Sequence, residues 1–349
     1  MKPVLILGGS GQAGSDTSAL LRKWHPDLPI TIAGRNLARA QEVADELGNA
    51  TAVTVDLQRT DLGLPTADQA GGASATAEAD YSAVVALLRD ERYNGLRYAQ
   101  DHGLPYFGIS SGPAEIAPEV IAVAQRPTAS PVLLASHFFA GSVVLAALHS
   151  ASEFSRVDSI HITAVLDEQD IGGPAALADL ERWATITSSG LVRRDGVFTW
   201  LADTATEVRR LDGSTLPGQI APGVDIPSLA FATGALNVQL DFAVNQGDHA
   251  AAEIQIDLQG LNQTGDPLHT THSLTHQAGQ RPLTAVGIAL GVERLLGLRD
   301  TPSYGSPTAQ RSTPVPPGIH TPESLIDPGY AVERLLESGA DFAEAAVRS

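Results

Sequence analysis

Val4-Leu5-Ile6-Leu7-Gly8-Gly9-Ser10-Gly11-Gln12-Ala13-Gly14 is the stretch on which the reading of this chain turns. Four apolar residues form a short buried strand, and a Gly-x-Gly-x-x-Gly run, Gly9 to Gly14, follows at once. Downstream, Ala13, Thr17, Leu20, Leu21 and Trp24 share one helical face, and Pro26 and Pro29 close that helix. The glycines therefore occupy a strand-to-helix turn. In such a turn Gly9 is expected to allow the tight bend, Gly11 to let the backbone approach a pyrophosphate, and Gly14 to let helix and strand pack closely. The helix N-terminus, with Ser10, Gln12 and Ala13, offers N–H donors and a positive dipole end to the phosphates. A Gly-rich turn without a ligand is the competing reading.

The pattern repeats outward from this turn. Ile30–Ala33 is a second strand, and Leu37, Ala40, Val43 and Leu47 line a second helix ended by Gly48. Strands follow at 52–55, 81–87, 105–109 and 132–135, with helices near 95–102, 114–125 and from Ser142. This alternation predicts a doubly wound parallel sheet with helices on both faces. At the end of the second strand, where an acid would bind the ribose hydroxyls of NAD, the chain has Gly34-Arg35-Asn36. A guanidinium pairs with a 2′-phosphate that an acid would repel, so Arg35 and Asn36 point to NADP(H) over NAD(H). Arg35 as a solvated helix-capping residue is the other reading. Asp56, closing the third strand, is placed to reach the adenine edge or to serve as a plain loop aspartate.

Composition narrows the chemistry. The 349 residues carry a net charge of -18, which argues against nucleic acid and anionic membranes as partners. There is no cysteine, so disulfides, thiolate metal sites and a cysteine nucleophile are excluded. The two lysines, Lys2 and Lys23, leave no Tyr-x-x-x-Lys pair for a short-chain dehydrogenase. Residues 1–11 do not read as a signal peptide, and Pro131, Ser136, His137 and Gly141 interrupt the apolar stretch 127–152, so a cytoplasmic protein is expected.

The middle of the chain changes rhythm. Ile160–Leu166, Leu236–Phe242 and Ile254–Leu258 alternate with period two, the habit of antiparallel strands with one buried face. Residues 174–187 read as a helix, 213–227 as a Gly/Pro-rich loop, 285–296 as a helix, 301–322 as an extended connection and 328–337 as a last helix. The expected division is a Rossmann domain at 1–150, an inserted α+β domain with a mainly antiparallel sheet at 151–280, and C-terminal helices returning to the Rossmann domain at 281–349. His269, His272 and His276 sit in a strand-like region where His269 points away from the other two, so no metal site is expected. The acidic run Asp167–Asp170 reads either as a solvated loop or as a wall of the active site.

The segments VLILGGSGQAGSDTSALL (4–21), AGRNLARAQEVADELG (33–48), AEIQIDLQG (252–260), RPLTAVGIALGVERLLG (281–297) and PPGIHTPESLIDPGYAVERLLESGADF (316–342) together resemble the saccharopine-dehydrogenase-like NAD(P)-binding oxidoreductases. The resemblance covers both ends of the chain and fades in the middle. It implies hydride transfer to or from a C–N bond, through imine reduction or oxidation of an amino-acid-like amine, and a homodimer built through the inserted sheet. The lysine–histidine pair of some members has no counterpart, since no lysine follows Lys23.

Ligands of such sheets bind beyond the carboxyl ends of the strands. That places Leu87, Ser110 and Ser111 beside the cofactor, Arg89 beside a substrate carboxylate or on the surface, and His137 where a proton is exchanged, or packed as a capping histidine. A non-catalytic NADP(H)-binding or sensor protein is the alternative function.

Overall fold

The computed structural model describes residues 1–64, 80–109, 116–170, 189–246, 251–298 and 313–344. The strands β1 (Val4–Leu7), β2 (Ile30–Gly34), β3 (Ala50–Thr54), β4 (Ala83–Ala86), β5 (Tyr106–Gly108) and β6 (Pro131–Leu134) pair in parallel. A further strand, β15 (Gly318–His320), joins β6, giving the order β15-β6-β5-β4-β1-β2-β3. The connecting helices are α1 (Gln12–Trp24), α2 (Leu37–Leu47), α3 (Asn94–Asp101) and α4 (Ile116–Ala124).

The central strands β1, β2, β4 and β5 are buried throughout because both faces of the sheet are covered there. Leu5, Leu7, Val84 and Tyr106 pack with Leu96 and Ala99 of α3 and Val123 of α4. Val4, Ile6, Ile32, Val85 and Phe107 pack with Leu21 of α1 and Ala40 of α2 in a core that runs on into the rest of the molecule.

The next helix, α5 (Ser142–Ala151), is buried almost throughout. That accounts for its uncharged sequence, and no helix among the described residues is long and apolar enough to cross a membrane. It leads into a second sheet of β7 (Phe154–Asp167), β8 (Gly190–Arg194), β9 (Val197–Leu201), β10 (Ala205–Arg209), β11 (Thr215–Ile220), β12 (Asn237–Asn245), β13 (Ala252–Asn262), β14 (Pro267–His276) and β16 (Asp341–Glu344). Its path is β10-β11-β12-β7-β13-β14-β16, with the β8–β9 hairpin on β12, and its pairings are antiparallel except β7–β12. Ile160, Ile162, Leu240, Ile254, Ile256 and Leu274 turn inward to the shared core, as their alternation predicts. The chain is thus an α/β protein with a Rossmann sheet and a second, mainly antiparallel sheet.

Several expectations are corrected. Residues 213–227, read as a loop, contain β11 and the start of α6 (Asp225–Thr233). Gly218 is no breaker there, since a Cβ would stand 2.5 Å from Val208 Cγ2 across the hairpin. Pro227 lies in the first turn of α6, where a missing N–H costs nothing. The connection read at 301–322 ends in β15 and opens α8 (Pro322–Leu325), whose Thr321–Ser324 capping box fixes its start. The helix expected at 174–187 lies outside the described residues.

Helix α7 (Gln280–Leu296) and helix α9 (Pro328–Glu337) return to the first sheet. Arg281 clamps Asp16 of α1 with two bonds of 2.9 and 3.0 Å. At the other end Glu293, fully buried, lies 3.1 Å from His25 Nε2 and accepts from the Tyr330 hydroxyl at 2.8 Å. Arg334 donates to that hydroxyl at 2.8 Å and lies 4.4 Å over the Trp24 ring. This network fastens α9 and α7 to the end of α1. Removing the carboxylate leaves its buried partners uncompensated, so Glu293→Ala is expected to lower stability by about 3–5 kcal/mol in urea or thermal unfolding. A loss below about 1 kcal/mol would show that the ion pairs add nothing beyond packing.

Candidate functional site

The turn after β1 has the geometry of a phosphate loop, with one reassignment. The tight bend falls on Gly8, at φ +82°, rather than on Gly9. Gly9 donates to Ile6 O at 3.1 Å, and a Cβ there would meet Ile6 O at 3.0 Å and Ile32 Cγ2 at 3.1 Å. Gly14 has the closest fit, since its Cβ would stand 2.4 Å from Gly8 O, so α1 packs directly on the turn. Gly11 is the N-cap of α1 and supplies no side-chain cap. The first N–H groups of α1, those of Gln12, Ala13 and Gly14, therefore stay open at the positive end of the helix.

At the carboxyl end of β2 the loop and the strand meet. Ser10 Oγ would stand 3.2 Å from a Cβ on Gly34, next to the exposed Arg35. Arg35 has no hydrogen bond or ion pair among the described residues. Asn36 caps α2, its Oδ1 accepting from Arg39 N at 3.2 Å. Asp56 is exposed and accepts from Gln58 N at 2.9 Å, the geometry of an Asx turn in a loop. Leu87 donates to Leu7 O at 3.0 Å, beside the Gly8 bend. Arg89 Nε lies 3.5 Å from Glu91 Oε1. Ser110 and Ser111 lie outside the described residues.

His137 follows β6, and its surroundings were hidden in the sequence. Its side chain is 1% exposed. Nε2 lies 2.8 Å from Ser228 Oγ and 3.9 Å from Glu323 Oε2, while Nδ1 is buried with no hydrogen bond among the described residues. Asp225, one helical turn before Ser228 on α6, is fully buried and accepts from Phe138 N with both oxygens at 3.2 Å. Glu323 Oε1 accepts from Thr321 Oγ1 at 2.6 Å, and its Oε2 is buried and unpartnered. Three distant segments, the end of β6, the start of α6 and α8, thus converge on one imidazole.

The backbone after His137 is strained. Phe139 and Ala140 have φ of 51° and 53°, followed by Gly141 at 94°. Their carbonyls press on Gly287 of α7, whose Cβ would stand 2.6 Å from Phe139 O. Non-glycine residues persist in this region when their surroundings hold them there. Among the described residues no carboxylate bonds Nδ1, the contact that orients the ring in a Ser–His–acid triad.

The sequence reading passed over Asp225, Ser228 and Glu323. The available signals were an acid and a proline opening a helix at Asp225-Ile226-Pro227, and the Thr321-Pro322-Glu323-Ser324 start of α8.

The remaining polar candidates are structural. His272 stacks on Phe342 at 5.4 Å, His276 Nε2 lies 3.3 Å from Ser338 O, and His269 points outward, 3.8 Å from Asp257. No group of three ligating side chains among the described residues could hold a metal ion. Asp170, read as part of a solvated loop or an active-site wall, is buried and accepts from Gln280 N, capping α7.

Burial pushes the Asp225 carboxyl above the usual carboxylate range, against the pull of His137 and the Phe138 N–H. A carboxyl raised in this way favours the fold while protonated. Its contribution is lost as pH rises from the unfolded value of about 4 through the raised one. Asp225→Asn keeps an acceptor for Phe138 and removes the buried charge. The variant is expected to melt above the wild type at pH 7, with the gap closing toward pH 4. A lower Tm at pH 7 would mean that the charge itself holds the cluster together.

No family model matches the chain, and no curated protein does. Among solved structures, apo saccharopine dehydrogenase (L-Glu forming) from Saccharomyces cerevisiae matches with a TM-score of 0.68 at 13% identity, over 99% of this chain and 100% of that one. A scyllo-inositol dehydrogenase from Lactobacillus casei, with NAD(H) and scyllo-inositol bound, matches at 0.45 and 12% identity over 99% of each chain, too distant to carry an argument. The Rossmann sheet, the second sheet and the return of the C-terminal segment together give this chain the fold of saccharopine dehydrogenase.

Proposed function

We propose that the chain is an NADP(H)-dependent oxidoreductase that moves hydride to or from a C–N bond, reducing an imine or oxidising an amino-acid-like amine. The observation that carries this reading is the turn at Gly8–Gly14, bent at Gly8, packed on Gly14 and leaving the start of α1 uncapped. Those features suit a pyrophosphate held by backbone N–H groups. Ser10 and Arg35 flank the place where a 2′-phosphate would lie, which favours NADP(H). The same reading gives Gly9, Gly11, Gln12, Ala13, Asn36, Asp56 and Leu87 to the cofactor.

A bound nicotinamide supplies the hydride. The chain's residues must then position the substrate beyond β4–β6 and exchange its proton, and His137 is the group placed for the second task. Two acidic side chains near that histidine, Glu323 and Asp225, and no basic one among its described contacts, suit a cationic iminium or amine better than an anion. The division at 150 and 280 and a cytoplasmic homodimer belong to the same reading. For the dimer, the outward face of the second sheet carries Gln239, His161, Asp257 and Thr271 in register across four strands, a row with acids and bases that a second copy could complement. The shielding of the His137 ring favours the alternative, a protein that binds NADP(H) without turnover.

Fluorescence titration of the wild type and Arg35→Ala with NADPH and NADH tests the cofactor. The variant is expected to bind NADPH about 10–100-fold more weakly, the loss of a charge-assisted pair, and NADH unchanged. No binding of either nucleotide by the wild type would sink the oxidoreductase reading.

A further inference from the structure

We propose that Ser228 is the group through which His137 exchanges its proton with a cationic C=N substrate. The inference rests on the oxidoreductase reading above and deepens it at the same site. His137 stands beyond the carboxyl end of β6, on the ligand-facing side of the first sheet. Its ring is shut away, the side chain being 1% exposed, and Ser228 beside it keeps 8% of its surface open. Nδ1 is buried and has no hydrogen-bond partner among the described residues. Nε2 has one hydroxyl within hydrogen-bond reach, Ser228 Oγ at 2.8 Å. A hydroxyl donates and accepts at once, so it can pass a proton on while remaining neutral.

The placement of Ser228 has a local cause. Positions 225 and 228 are one turn apart and share a face of α6. The Asp225 carboxylate, holding the Phe138 N–H, sets that face against the end of β6, which brings Ser228 to the ring. The strained turn at 139–141, pressed on Gly287 and Pro322, keeps the imidazole from swinging out. Glu323 Oε2 lies 3.9 Å from Nε2, and Asp225 holds the neighbouring Phe138 N–H.

In the reducing direction the C=N carbon would take a hydride, with its electron pair, from a reduced nicotinamide, and the C=N π pair would move onto nitrogen. That pair would then take the Ser228 Oγ–H proton, and the His137 Nε2 proton would replace it on Oγ. The imidazolium ends neutral, the nicotinamide ends oxidised, and the serine ends unchanged. Ser228 is then a catalytic residue, and Asp225 and Glu323 are positioning residues.

The test needs neither cofactor nor substrate. The full chain is labelled with ¹⁵N-histidine, and the exchange of the His137 ring proton with water is measured by NMR, the signal being assigned by its loss in His137→Asn. The relay predicts exchange at least tenfold slower in Ser228→Ala and near the wild-type rate in Ser228→Thr, which keeps the hydroxyl. Should Ser228→Ala fail to fold, Ser228→Cys preserves the volume with a weak donor and is expected to slow exchange likewise. Exchange that is unchanged or faster in the variant lacking the hydroxyl would overturn the proposal, since a merely structural serine, once removed, opens the ring to water. Failure of NADPH binding would instead strike the oxidoreductase reading while leaving this measurement as it stands.

Discussion

The contact of α7 with its neighbours is the constraint from which the rest of the arrangement follows. Gly291 faces the first sheet so closely that a Cβ would stand 2.3 Å from Phe107 Cε2. One turn earlier Gly287 meets the carbonyls of Phe139 and Ala140. Two glycines in a helix weaken it locally by roughly 1 kcal/mol each relative to alanine, and they persist here because no side chain fits. With α7 seated at that depth, Arg281 reaches Asp16, Glu293 reaches His25, and the helix is pinned to α1 at both ends.

The same seating holds the turn after β6 in a left-handed path and aims His137 back toward α6. The site is therefore a product of packing between segments far apart in sequence. The end of β6, the start of α6 and α8 each supply one or two polar groups, and only the assembled core brings them together. Such a cluster is costly to bury, as the raised Asp225 carboxyl and the unpartnered atoms of His137 and Glu323 show. Buried acidic groups and backbone strain meet in one place there, and the proposed proton chemistry is what would give them a use.

The parts legible in the sequence were those governed by local rules. β1, α1, α2, α9 and the inward residues of β7 and β13 follow from period and capping, and the glycine turn followed from its place between strand and helix. The bend itself was assigned one residue late, since Gly8 and Gly9 are indistinguishable until the strand register is known. The errors at 213–227 came from counting Gly218 and Pro227 as breakers, when one fills a tight hairpin and the other starts a helix. β8 to β10 lack a strong alternation because they lie toward one side of the sheet, with several side chains in solvent. Asp225, Ser228 and Glu323 carried no spacing that could join them to His137, because their proximity is tertiary.

Residues 318–344 give each sheet a strand, β15 beside β6 and β16 beside β14. The chain thus ties its two layers with one ribbon that has to visit both. During synthesis the Rossmann half waits with an open edge until more than 180 further residues have passed, counting from β6 to β15. Pairings of such long range are slow to form, and an uncovered edge invites pairing with other chains. The β6 edge is therefore among the last parts of the first sheet to be covered as the chain is made.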